Sequence, residues 1–144
     1  MLVKQILQSK ADQSVATIRP DLSISEAISI LSKKRIGALV VSETGKDAAG
    51  VISERDIVRE IGIRGTGLLN DSVKTIMSSN VICCAEEETA DQVLTKMTNG
   101  RFRHMPVLCN GEMIGLISIG DVVKARLSEL DMEKQALEGM IMGH

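Results

Sequence analysis

Two short stretches place the same pair of polar residues at the exit of an apolar run: GVISERDIV at 50–58 and GLISIGDVV at 115–123. In each, a serine (Ser53, Ser118) is followed three positions on by an aspartate (Asp56, Asp121). One chemistry this spacing serves is helix capping, in which the serine oxygen accepts the N–H three residues ahead and the acid reaches back to the serine N–H. The other is ligand capture. An ionised carboxylate accepts hydrogen bonds from two neighbouring hydroxyls. A serine hydroxyl and the free N–H groups of a helix start can receive a phosphate, aided by the helix dipole. Cap geometry points these groups out of the strand end, so the two readings are compatible. A second concentration of charge, RFRH at 101–104, sets Arg101, Arg103 and His104 just before another apolar run. It reads as a solvated turn or, where alternation turns a side chain into a cleft, as an anion contact of the kind arginine makes with phosphate. Arg55, inside the first Ser-x-x-Asp, has Gly120 as its counterpart. It is either a surface helix residue or an extra charge at one of two unequal sites.

Other chemistries find less support. Cys83, Cys84 and Cys109 match no zinc spacing, with one another or with the two histidines, so no metal site is expected. Three reduced, structural thiols favour a cytoplasmic setting. The opening MLVKQILQSK lacks the uninterrupted apolar core of a signal peptide, and no run is long enough for a membrane span. Aromatic residues are 1% of the chain, Phe102 alone, and the formal net charge is −2. Neither the stacking platforms nor the basic field of a nucleic-acid binder is present. With 144 residues, 44% of them hydrophobic and 25% charged, the chain reads as globular. At this size roughly 70% of the unfolded surface can be buried without a disulfide or metal staple.

The elements that must position these residues occur twice. Residues 15–42 align without a gap onto 81–108, and one deletion later Gly50, Ser53 and Asp56 meet Gly115, Ser118 and Asp121; the lead-ins VKQIL and VKTIM also agree. Each copy reads strand–helix–strand–strand–helix, an α/β pattern. Extended runs VATI and VICC precede helices at 25–33 and 89–98, whose apolar residues recur at helical spacing. Ser23 and Thr89 suit N-caps with Glu26 and Gln92 completing capping boxes, and Gly100 suits a C-cap. GALVV and HMPVL are strands, each followed by a hairpin; Asn110-Gly111 is a two-residue turn signal. Pro106 lacks an N–H and is expected at a strand edge or start. One copy of about 50 residues is marginal alone, so the two are expected to stack about a pseudo-twofold axis as one module. The Gly-rich GIRGTGLLND between them lacks the Gly-Lys-Ser/Thr of a phosphate loop and reads as a linker. The boundaries expected are a first unit at 2–62, a linker at 63–71, a second unit at 72–130 and a helical extension at 131–144.

This duplicated β-α-β-β-α unit, closing twice on Gly-x-Ile-Ser-x-x-Asp, resembles a tandem pair of cystathionine-beta-synthase (CBS) domains, a Bateman module. GRFRHMPV and ISIGDVVKARL are similar to stand-alone bacterial pairs in particular. The resemblance covers residues 2 to about 128. It implies a sensor that binds adenosine-containing ligands (AMP, ADP, ATP, NAD(H) or S-adenosylmethionine) in two clefts between the units, and that forms a homodimer, a disc of four CBS units. By the same resemblance Asp56 and Asp121 each hold a ribose, and Ser53 and Ser118 sit by the phosphates. Thr17 with Ile18, Ala38, and the backbone of His104, Met105 and Pro106 frame the adenine. Cys83 stands where the first copy has Thr17, and Glu86 where it has Pro20, so the two sites are expected to differ.

Within that frame Arg103 is the strongest candidate for a phosphate contact, and Arg55 would favour a more phosphorylated ligand at the first site. His104, titrating near neutral pH, would make binding mildly pH-sensitive. The tail carries Leu127, Leu130, Leu137 and Ile141 on a heptad-like stripe, interrupted by Lys134. Two heptads are too few for a coiled coil; the stripe is expected to cover the module or a dimer mate. The function expected is a non-catalytic adenine-nucleotide sensor without a catalytic cofactor, acting on an effector protein the sequence does not identify. An enzyme would need a nucleophile–base set that is missing from the pattern. An assembly scaffold with decayed clefts is opposed by the retention of both aspartates.

Overall fold

A computed structural model describes residues 1–142. The chain runs α1 (Val3–Ser9), β1 (Thr17–Ile18), α2 (Ile24–Lys34), β2 (Ala38–Val41), β3 (Gly50–Ser53) and α3 (Glu54–Arg64). Two short 3-10 turns follow, Thr66–Asn70 and Val73–Thr75, and then β4 (Cys84–Ala85), α4 (Ala90–Gly100), β5 (His104–Cys109), β6 (Glu112–Ser118) and α5 (Ile119–Ile141). Each copy builds a three-stranded sheet with its second strand in the centre, parallel to the first and antiparallel to the third. The mixed α/β class and the duplicated unit are as the sequence predicts.

Local chemistry sets the ends of the helices. Ser23 accepts from the Glu26 N–H and Thr89 from the Gln92 N–H. The reciprocal half of the box forms only at Gln92, whose Oε1 takes the Thr89 N–H at 2.8 Å; the box expected at Glu26 is half made. The expected C-cap at Gly100 falls one residue later. Arg101 adopts the left-handed conformation (φ 56°), as Arg35 does (φ 53°), and Phe102 and Ile36 donate back to Met97 and Leu31. Gly100 serves instead to let the Phe102 ring lie on the helix, a place that a Cβ would occupy. Asn110 and Gly111, both at positive φ (52° and 79°), make the tight turn between β5 and β6.

Burial falls in two clusters, not one shared core, and the lead-ins cross between them. Val3, Ile6 and Leu7 of α1 pack with Val93, Met97, Met105 and Ile117 of the second copy. Val73 and Ile76, from the second lead-in, pack with Ile24, Leu39, Ile52 and Ile57 of the first. Hydrogen bonds follow the same exchange: the Val3 N–H donates to Glu88 O (2.8 Å), while Val51 and Ser78 pair in both directions (3.0 and 2.9 Å). Gly50 and Gly115 are the residues over which the exchanged segments pass. A methyl on Gly50 would stand 2.5 Å from Met77 Sδ and 2.9 Å from Ser78 O, and one on Gly115 2.7 Å from Leu7 Cδ2. The segment read as a linker is partly structure: its 3-10 turn buries Leu68 in the first core. Gly143 and His144, the end of the expected helical extension, lie outside the described residues.

Candidate functional site

Both Ser-x-x-Asp segments are capping boxes at the start of the helix that closes each copy, so the capping reading holds at both. The two boxes leave different groups over. At the first, Asp56 Oδ2 accepts from the Ser53 N–H and hydroxyl (both 2.9 Å), and Oδ1 accepts from the Arg59 guanidinium at 3.0 Å. Both carboxylate oxygens are spent, on the cap Ser53 and on Arg59 of α3. At the second, Asp121 Oδ2 accepts from the Ser118 N–H at 2.9 Å and from Lys10 Nζ at 3.1 Å. Among the described residues no donor reaches Asp121 Oδ1. Burial works against the Asp121 charge, but the bonds from Ser118 and Lys10 outweigh it and hold the carboxyl below its ordinary value. A carboxylate kept ionised with one oxygen free is an acceptor for hydroxyl donors.

That oxygen belongs to a residue lining a cavity of about 870 Å³, within the size range of small-molecule sites. Both copies build it. Ala38 and Gly37 come from the first, Ser118, Asp121 and His104 from the second, and Lys10 from the exchanged lead-in. Four expected site residues, Ala38, His104, Ser118 and Asp121, are thereby brought to one cavity. The His104 imidazole packs beside Gly37, whose Cβ would lie 3.8 Å from the ring and 3.7 Å from Glu54 Oε1. Burial pushes this histidine below its ordinary value, with Asp121, Asp56 and Glu54 pulling the other way. It therefore stands where both corners are felt. A second, smaller cavity of about 560 Å³ lies between α2 and α3 and holds none of the expected site residues.

The remaining candidates fall elsewhere. The side chains of Ile18 and Met105 are core, 3% and 0% exposed, because strand alternation turns them inward, and neither residue lines a cavity. Thr17, Ser53 and Asp56 are half-buried off the cavity wall, and Arg55 and Arg103 are exposed. Cys83 is half-buried, and burial raises its thiol, as it raises Cys84 to about 12.

Pro106, expected at a strand edge or start, is the third residue of the central strand β5, opposite Leu116. The reason lies on its other side. In the first copy the Val40 N–H, at the aligned position, donates to Ala16 O at 3.1 Å, and β1 begins to pair at Thr17. Pro106 has no such proton, and β4 starts one aligned residue later, at Cys84 against Val107. The proline is tolerated because the first strand of its sheet begins one aligned residue later, which leaves the main chain at Ile82 and Cys83 outside the ladder.

Sequence reasoning missed Lys10, Lys34 and Lys124, which line the large cavity. A signal existed for one of them. Continuing the lead-in alignment from VKQIL and VKTIM sets Lys10 against Asn80, a charge in one copy that the other lacks.

Comparison with known proteins agrees with this architecture. The family model for the CBS domain matches twice, over residues 3–63 and 73–128. A mitochondrial CBS domain-containing protein of Arabidopsis thaliana is 34% identical over 148 residues, covering 98% of this chain and 72% of that protein. The crystal structure of a CBS-domain containing protein from Agrobacterium tumefaciens superposes with a TM-score of 0.83 at 44% identity, over 88% of this chain and 99% of that one. A CBS domain pair crystallised with 5′-methylthioadenosine and S-adenosyl-L-methionine aligns at 26% identity, with a TM-score of 0.77, over 90% of this chain and 98% of its own.

Proposed function

This chain belongs to the CBS domain family, and on that premise we propose that it is a sensor module that binds an adenine nucleotide (AMP, ADP, ATP or NAD(H)) at the Asp121 corner. CBS domain pairs are regulatory modules, and stand-alone pairs are generally regulatory rather than catalytic. The observation that carries the reading is the free Oδ1 of a helix-start aspartate on a cavity walled by both copies. The ribose hydroxyls donate to Asp121, the Ser118 hydroxyl and the start of α5 face the phosphates, and the main chain at Ala38 and His104 borders the base. Because the wall comes from two copies with separate cores, a ligand that prefers one packing of the copies over another shifts their populations, and that shift is the output to an effector.

The Asp56 corner takes the same ligand class with lower affinity, since Arg59 must first leave the carboxylate. Arg103 and Arg55 then supply its cations, and Thr17 and Cys83 distinguish the two base pockets. We propose further that the module works as a homodimer in the cytoplasm. The homodimer is supported by the apolar stripe of α5, where Leu127, Leu130 and Leu137 are 63%, 48% and 59% exposed instead of covering the module. The cytoplasmic setting is supported by three free thiols. No helix of the described residues is long and apolar enough to cross a membrane.

A second reading, S-adenosylmethionine in place of a nucleotide, is favoured by the complex of the 26% identical CBS pair. Isothermal titration of the purified chain with AMP, ATP, NADH and S-adenosylmethionine decides between them. A nucleotide binding tightest is the expected result. The sulfonium compound binding tightest would establish the second reading, and no binding to any of the four would leave a scaffold.

A further inference from the structure

The cavity that holds Asp121 is walled by more positive than negative charge. Lys10, Lys34 and Lys124 line it, against Asp121 and Asp12. Asp12 Oδ1 is occupied by the Ser14 N–H and hydroxyl at 2.9 and 2.6 Å, whereas Lys34 and Lys124 make no ion pair among the described residues. Lys10 differs from the other two in being fixed. Its ammonium donates to Leu116 O at 2.8 Å and to Asp121 Oδ2 at 3.1 Å, and only 27% of its side chain is exposed. An ammonium carries three N–H donors. Two are spent on these partners, and the third is left on a group that lines the cavity.

The anchoring has a structural cause. Leu116 lies on the outer strand of its sheet, where the equivalent residue of the first copy, Val51, pairs main chain to main chain with Ser78 of the exchanged lead-in. At Leu116 a lysine side chain takes the place of that main-chain donor. It comes from the first lead-in, and the aligned position in the second lead-in is Asn80. The charge is thus specific to the Asp121 corner. The corresponding cation at the Asp56 corner, Arg59, comes from α3 itself, three residues on and nearly one turn along the same helix.

We propose that Lys10 is the specificity-determining residue of the Asp121 cavity, giving its third N–H to a phosphate and so selecting phosphorylated adenosines over the uncharged nucleoside and over cationic sulfonium analogues. Lys34 and Lys124 add a solvent-screened attraction of the same sign at the rim. The inference rests on the nucleotide reading above and deepens it.

Calorimetric titration of the full chain with adenosine, AMP, ATP and S-adenosylmethionine tests it, on wild type and on Lys10→Gln, Lys10→Arg and Lys124→Gln. Wild type is expected to bind ATP at least about tenfold more tightly than adenosine, the value of one hydrogen bond to a charged group. Lys10→Gln is expected to remove about that factor for ATP while changing adenosine less than roughly threefold. Lys10→Arg should restore it, and Lys124→Gln should cost less, the loss vanishing in high salt. Adenosine binding with no gain from phosphate would overturn the inference and leave the adenosine site standing. Equal losses for adenosine and ATP in Lys10→Gln would also overturn it, reducing Lys10 to a positioning residue for Asp121. If neither adenosine nor any nucleotide binds wild type, the site reading itself fails and takes this inference with it.

Discussion

At the scale of single residues, Asp56 and Asp121 perform the same structural task and differ in what they have left to offer. Each closes a capping box, and only Asp121 keeps an oxygen free beside a cavity. Replacing either by alanine leaves the serine cap but removes the back-bond from the serine N–H, and should cost about 1 kcal/mol of stability, read as similar falls in the denaturation midpoint. A much larger loss in one variant would show that its carboxylate also supports the fold elsewhere. His104 gives a pH signature. Its folded-state value lies below the ordinary 6.5 because burial opposes its charge, so the unfolded chain takes up the proton first as pH falls. Its contribution is complete above about 6.5 and declines below it. The denaturation midpoint should therefore be lower at pH 5.5 than at pH 7.5, with a smaller decline in His104→Gln; an unchanged slope would remove His104 as the cause. The twin Ser-x-x-Asp was legible in the sequence because both members lie within one helical turn. Lys10 was not, because it meets Leu116 from 106 positions away and only the exchange of lead-ins brings them together.

At the scale of elements, the glycine that opens each GVIS and GLIS run is a packing residue, placed where a segment from the other half of the chain crosses the strand. Gly50→Ala should be the more damaging substitution, at about 2–3 kcal/mol, because the main-chain oxygen of Ser78 stands in the way. Gly115→Ala meets only the end of the Leu7 side chain and should cost about 1–2 kcal/mol. Chemical denaturation of the two variants checks the order, and the reverse order would show that the crossing segments yield differently from the geometry. Helical periodicity placed α2 and α4 to within a residue or two, since each has an apolar face on a single core. The first strand of each sheet was misplaced or overread: VATI shrinks to Thr17 and Ile18, and of VICC only Cys84 is paired, the strand ending at Ala85. Their length depends on a neighbour distant in sequence, Val40 in one copy and Pro106 in the other, and no pattern within the run reports that. The turn at Thr66–Asn70 was hidden for a similar reason, because Leu68 finds its core only after α2 and α3 are in place.

At the scale of the whole molecule, two cores joined by exchanged lead-ins leave a cavity at their junction, and an apolar stripe of α5 that stays largely exposed among the described residues. The fold class and the duplication were legible because they are written into local pattern twice; the crossing of the lead-ins and the inequality of the corners arise only on assembly. If the stripe of α5 joins two copies, light scattering should give a dimer for wild type and a monomer for Leu127→Glu combined with Leu137→Glu. A dimer that survives both charges would place the interface elsewhere. The central claim is that the Asp121 corner is the principal nucleotide site, and calorimetric titration of AMP into wild type, Asp121→Ala and Asp56→Ala tests it most directly. The account predicts that Asp121→Ala loses the tighter binding event, at least about tenfold in affinity, while Asp56→Ala keeps it. Retention of that event in Asp121→Ala, with its loss in Asp56→Ala, would contradict the account.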